Sequence, residues 1–202
     1  MQKILLALII ILIFTIPISA GEVEENMVEF AYELGQQRAA NTGGNAPTKF
    51  ELREMFKWIR HYAHNRTVFT SADFCPYEVG YNPDQLVKDI FAIVWEESWF
   101  INEPDQDNGT GYGWIAMQWS TREDLIERVY GWKDYNKNPY KHREQAKMIV
   151  GMLLYLRHRT NNRHRTILGY NVGPGVGYIN GQTYFNRFVT KRRVLDEILK
   201  PS

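Results

Sequence analysis

Cysteine is nearly absent from this chain. Cys75 stands alone among 202 residues, which excludes an internal disulfide framework and any zinc site built on paired thiolates. Net charge is nearly absent too, with 24 Lys and Arg against 23 Asp and Glu, a formal +1. There is no His-Glu-x-x-His pair, no Walker loop and no dinucleotide-type glycine pattern. The histidines His61, His64, His142, His158 and His164 show no ligand spacing, so no metal and no cofactor are expected. Asp105-x-Asp107-x-Gly109 lacks the third acidic ligand and the closing glutamate of an EF-hand loop. No apolar run reaches the roughly 20 residues of a comfortable membrane span, and no repeat or heptad is present. What is there is globular composition, 44% hydrophobic and 23% charged, with length for one good core.

The small net charge hides an asymmetry. Residues 1–120 carry 8 Lys and Arg against 16 Asp and Glu, and residues 121–202 carry 16 against 7. The halves therefore sit near −8 and +9. The clusters Arg157-His158-Arg159, Arg163-His164-Arg165 and Lys191-Arg192-Arg193 read as a solvated cationic face, with contact to an anionic wall polymer or lipid surface as the alternative.

The first residues point to export. Met1-Gln2-Lys3 is a short basic start, Ile4 to Phe14 is unbroken apolar sequence, and Pro17 and Ala20 close the segment. This is the layout of a secretory signal over residues 1–20. Ile18 is bulky for a cleavage site, so membrane anchoring by residues 4–18 stays open. No cysteine follows, which argues against a lipoprotein. Residues 21–47 carry a helical pattern ending in Asn41-Thr-Gly-Gly-Asn-Ala-Pro47 and read as a loosely attached leader. Export argues against nucleic acid as a partner.

The remaining chain, 48–202, reads as a mostly α, compact helical domain with irregular, aromatic-rich loops. Thr48 and Glu51 form a capping box ahead of Phe50, Met55, Phe56, Trp58 and Ile59. Asn82-Pro83 opens a helix to about residue 100. The polar, Gly-rich stretch 101–114 is a loop, and Ser120 with Glu123 caps a short helix over 121–130. Further helices are expected over 140–159, 163–171 and 182–199, with a break at Gly173-Pro174-Gly175.

One glutamate falls where a surface charge does not belong. At about 100° per residue, Leu86, Ile90, Ile93 and Val94 share a face and Glu97 lies in its middle. Glu96 falls on the flank with Asp89, where solvated charges are expected. A carboxylate inside an apolar stripe is costly when ionised, so its pKa is expected to rise. That is the requirement for a general acid in glycosidic cleavage. Periodicity alone is equally compatible with a helix-end glutamate paired to an arginine or turned to solvent.

The surrounding residues occur in a telling order: Glu97-Ser98, a Gly-rich loop, Met117-Gln118, then Gly169-Tyr170-Asn171-Val172-Gly173-Pro174-Gly175, then Tyr184. Over roughly residues 83–195 this resembles the SLT-type lytic transglycosylases of the lysozyme superfamily. The Tyr-Asn-x-Gly-Pro-Gly string is its most specific part. Ile115-Ala116 stand where the family has Gly-Leu, Gly169 and Val172 stand where alanine is usual, and the loop serine has no counterpart.

The resemblance implies a lysozyme-like fold and a peptidoglycan partner. Glu97 would protonate the oxygen between N-acetylmuramic acid and N-acetylglucosamine, then as carboxylate take the proton of the sugar's own C6 hydroxyl, closing a 1,6-anhydro ring. An internal nucleophile would let one carboxylate suffice where most glycosidases need two. Ser98, Met117, Gln118, Tyr170 and Asn171 would bind substrate or orient Glu97, and Tyr184 would sit beside the acid. Among the tryptophans, Trp114 and Trp119 are the expected stacking platforms for sugar rings. Two alternatives stand beside this reading. One is a hydrolytic muramidase of the same fold, with Asp105 or Asp107 helping. The other is a wall-binding component of an envelope or secretion assembly, in which the leader and basic face would dock. The expected location is the periplasm or cell wall.

Overall fold

Local signals account for where the helices begin. A computed structural model of the chain describes residues 20–69, 79–102, 111–118, 138, 140–172 and 181–199. Six α-helices occur among them: α1 (Ala20–Thr42), α2 (Lys49–His64), α3 (Pro83–Glu97), α4 (His142–Thr160), α5 (Arg163–Val172) and α6 (Gln182–Ile198). Thr48 and Glu51 close the expected capping box on α2. The Asn82 side chain accepts from the Gln85 amide with Pro83 in the first turn of α3. The protein is mainly helical, as its sequence pattern implies. Residues 1–19 of the expected signal, Cys75, Asp105, Asp107, Trp119, the helix expected over 121–130 and Gly173-Pro174-Gly175 lie outside the described residues.

Helix α3 is the axis of the fold. It packs against α2, α4 and α6, while α2 also packs on α1 and α4, and α5 lies against α4 and α6. Leu86, Ile90, Phe91, Ala92, Ile93 and Val94 are fully buried, so the second half of α3 is enclosed all round rather than along one stripe. Phe56 of α2 stacks on Phe91 at 4.8 Å between centroids, and Phe100 closes on the same ring at 4.7 Å.

Two expectations from the sequence are corrected here. Residues 21–47 are not a loose leader. Met27, Phe30, Ala31 and Leu34 recur at helical spacing on α1 and lie in the main core with Val28. The pairs Glu24–Arg60, Glu25–Arg53 and Glu29–Lys49 add contacts to the second helix region, but such exposed pairs contribute little. Burial holds α1 in place. Truncating Leu34 to alanine is therefore expected to cost about 2–5 kcal/mol in a denaturant titration, where a detached leader would show almost nothing.

The second correction concerns Asp89, expected as a solvated flank charge. It is 0% exposed, because the stretch of α3 from Asp89 to Trp95 is buried on every face and has no solvated flank. Its carboxylate is held by both nitrogens of an Arg163 fork (Nε 2.8 Å, Nη2 2.6 Å), by Arg192 Nε at 3.0 Å and by the Tyr81 hydroxyl at 2.6 Å. Glu96 is likewise shielded, accepting from Arg187 and, at 2.5 Å, from Lys191. The basic clusters of the second half thus supply internal partners for the acids of the first, and the cationic face is smaller than the sequence implies. The network holds Tyr81 as a phenol, its pKa pushed well up by burial and by the Asp89 charge, and Asp89 keeps the Arg163 guanidinium charged. Arg66 extends it, donating to the carbonyls of Ala63, Val79 and Tyr81.

Candidate active site

The C-terminal end of α3 turns sharply. Glu97 is the last helical residue and Ser98 the cap, followed by Trp99 at φ 54° and Phe100 at φ 67°. Two successive bulky residues in the left-handed region cost on the order of 1–3 kcal/mol each. Burial offsets this: Phe100 is 2% exposed against Phe91, and Trp99 packs edge-on to Trp95 at 6.5 Å. The turn leaves Glu97 half-buried at the helix end.

Tied to that end is a small hairpin. Strands β1 (Gly111–Tyr112) and β2 (Met117–Gln118) pair antiparallel, Gly111 with Gln118 and Tyr112 with Met117, around a loop of residues 113–116. Two residues per strand carry no alternation, which is why the sequence reads this region only as loop up to residue 114. Side chains from three helical regions grip the loop backbone. Ser98 Oγ lies 2.6 Å from the Trp114 carbonyl and 3.2 Å from that of Val94. The Tyr170 hydroxyl donates to the Ile115 carbonyl at 2.6 Å. Gln145 of α4 accepts from the Trp114 amide at 2.9 Å, and its Nε2 donates to Asn102 at 2.9 Å. Nothing in the sequence flags Gln145, since a glutamine in a long helix has no distinguishing period.

Gly113 is required at the centre of this grip. Its φ is +71°, and a Cβ there would meet the Gln145 side chain at 2.2 Å. Gly113→Ala is expected to destabilise by about 1–3 kcal/mol, from overpacking and from backbone strain. Thermal denaturation checks it, and an unchanged midpoint would mean that Gln145 does not hold the loop.

The acid and two tyrosines meet. Tyr184, on α6, is 4% exposed. Burial and the nearby Glu97 charge push its pKa well up, with smaller contributions from Tyr170 and from hydrogen bonding toward Glu97. The geometry of that contact is poor, since the Tyr184 hydroxyl makes no well-formed hydrogen bond. Tyr170, on α5, is raised by burial first and the Glu97 charge second. Both remain neutral phenols at any working pH, able to donate and unable to compete with Glu97 as anions.

The other expected site residues divide. Asn171 is exposed on α5 beside Tyr170. Ser98 is 7% exposed and ties the helix end to the hairpin. Met117 is 3% exposed, which suits shaping the hairpin rather than touching a ligand. Gln118 pairs through its backbone with Gly111. Trp114 corrects the stacking expectation: at 1% exposed it is a core residue with no face open to a sugar. Large aromatics near an acid are as readily core as platform, and composition cannot tell them apart. Trp99, which the sequence did not favour, is the partly exposed indole next to Glu97.

Among the described residues no group of His, Cys, Asp and Glu is arranged to hold a metal ion, and no helix is long and apolar enough to cross a membrane. Comparison with protein-family models, with curated proteins and with solved structures finds no match in any of the three.

Proposed function

We propose that this chain is an exported peptidoglycan lytic transglycosylase of lysozyme-like fold, cleaving between N-acetylmuramic acid and N-acetylglucosamine. One observation carries the reading: Glu97 ends a buried helix with the phenols of Tyr170 and Tyr184 close enough to feel its charge. A helix-end acid beside neutral donors suits proton transfer to a glycosidic oxygen and back from an attacking hydroxyl. Glu97 delivers the proton as the glycosidic bond breaks and positive charge develops on the sugar. The resulting carboxylate then removes the proton of the C6 hydroxyl as that oxygen closes on C1. The Tyr184 hydroxyl stabilises the carboxylate in this second half, while Tyr170 holds the hairpin loop through the Ile115 carbonyl. Its sites of action would be the periplasm or cell wall, with glycan strands as partner.

Product mass tests the proposal. Residues 21–202 incubated with purified peptidoglycan are expected to release muropeptides lighter by one water than muramidase products. Reducing-end products would replace this reading with a hydrolase. Release of neither would leave a wall-binding protein.

A further inference from the structure

One end of the molecule gathers the starts of α1, α3 and α5 and the ends of α4 and α6. Val23 and Glu24 of α1, Asp84 and Lys88 of α3 and Leu199 line a single hollow of about 340 Å³. From its rim a chain of ion pairs runs Lys88–Asp196–Arg192–Asp89–Arg163 and reaches the first residue of α5. Arg157, in the last turn of α4, donates to the Gly80 carbonyl at 3.4 Å, just ahead of the α3 cap.

The corner between α4 and α5 is strongly basic. Arg157 to Arg165 holds four arginines and two histidines, and no Asp or Glu occurs between Glu144 and Asp196. His158, Arg159, His164 and Arg165 are exposed. Cations suit the end of α4 but oppose the dipole at the start of α5, whose first turn has no acid. Asp89 offsets that for Arg163. Glu24, Asp84 and Asp196, acids of this end, already hold Arg60, His64, and Lys88 with Arg192. Glu197 adds one exposed acid, against the four arginines of the corner. Among the described residues the exposed large apolar side chains are Phe50 and Tyr140, at the starts of α2 and α4, so the corner offers charge and no apolar wedge.

The neighbouring chain identifies the surface this corner meets. The apolar run Ile4–Phe14 joins α1 through residues 15–19, a link that reaches about 20 Å at most. A bilayer taking up that run is therefore held against this end of the fold. The run is short for a span, and a weak anchor needs a second attachment to hold stably.

We propose that the α4–α5 corner docks on an anionic bilayer, binding lipid phosphates through Arg157, Arg159 and Arg165, with the N-terminal run as the other attachment. Docking does not depend on what Glu97 does. Helix α3 begins at the docked end and finishes at Glu97, so standing upright it holds that residue about 20 Å above the head groups.

Flotation of the full chain with lipid vesicles tests the docking. Phosphatidylcholine vesicles read the apolar run alone, and vesicles with about one third phosphatidylglycerol add the negative surface. Partitioning is expected to be at least about tenfold stronger on the second set, with the gain abolished in concentrated salt. Arg159→Gln and Arg165→Gln should each cut the gain about fivefold and leave binding to phosphatidylcholine unchanged. Lys49→Gln, at the other end of α2 from Arg60 and His64, is the control and should keep the gain within about twofold. Melting of each variant is expected to show an unchanged midpoint, as exposed substitutions allow. Equal partitioning on the two vesicle types would overturn the docking surface, as would a gain that survives Arg159→Gln and Arg165→Gln combined. Tighter binding to soluble polyglutamate than to the anionic vesicles would overturn the bilayer in favour of an anionic polymer.

Discussion

Glu97→Gln is expected to lower release of anhydro products by about 10²–10⁴-fold. The upper end is favoured because one group serves as acid and then as base, so both halves of the reaction lose their proton carrier. The substitution is isosteric at a half-buried position, and the melting midpoint is expected to stay within about 2 °C. Together these outcomes separate a chemical role from a folding role. Retention of a tenth of the activity would sink the assignment.

A companion variant reads the environment of the acid. Tyr184→Phe removes a donor near Glu97, and a donor favours the carboxylate over the acid. Without it the protonated form persists to higher pH, so the basic limb of the rate profile should move upward. The rate at the optimum should fall by less than about 10-fold, since the buried Tyr184 hydroxyl has no well-formed hydrogen bond to lose. A profile unmoved in pH would show that Tyr184 only fills space.

The second large effect is on stability. Asp89→Asn leaves the Arg163 and Arg192 guanidiniums around a neutral amide in a site with no solvent at its centre. Breaking a buried pair by removing one partner costs about 3–5 kcal/mol. Arg163 is 36% exposed and can recover some hydration, so we expect about 3 kcal/mol, a midpoint shift of about 6–12 °C. Glu25→Ala, at a side chain 46% exposed and paired with Arg53 away from this network, is the control and is expected to cost less than about 1 kcal/mol. Salt should weaken the control pair and barely touch Asp89, since screening acts on exposed charges. Similar losses from the two variants would mean the Asp89 network is structurally idle.

How far the sequence reveals the fold depends on the range over which each signal acts. The starts of α2 and α3 are legible because Thr48, Glu51, Asn82 and Pro83 act within one turn of themselves. Glu97, Tyr170 and Tyr184 are singled out by an ordered set of motifs, and the Glu97 charge adds to burial in raising both phenols. The hairpin was not legible, since Gly111–Tyr112 and Met117–Gln118 are too short for any period. Asp89 escapes the pattern because a helical wheel assumes a single buried face, whereas the second half of α3 is buried on every face. The reversal between Trp114 and Trp99 has the same origin: which indole faces outward is decided by Ser98, Gln145 and a left-handed backbone, none of which leaves a local pattern.

The pairing of acids on α3 with bases on α5 and α6 also bears on the order in which the molecule can form. A chain emerging N-terminus first presents Asp89 and Glu96 long before Arg163, Arg187, Lys191 and Arg192 exist to meet them. The helix at the centre of the molecule therefore lacks these ion-pair partners until the last helix arrives. Severed between residues 102 and 111, the protein would yield an acidic piece and a basic piece, each lacking the other's counter-charges. Such pieces should attract across solution and reassemble in one another's presence, faster in dilute salt than in concentrated, as a two-part protein that carries its own recognition code.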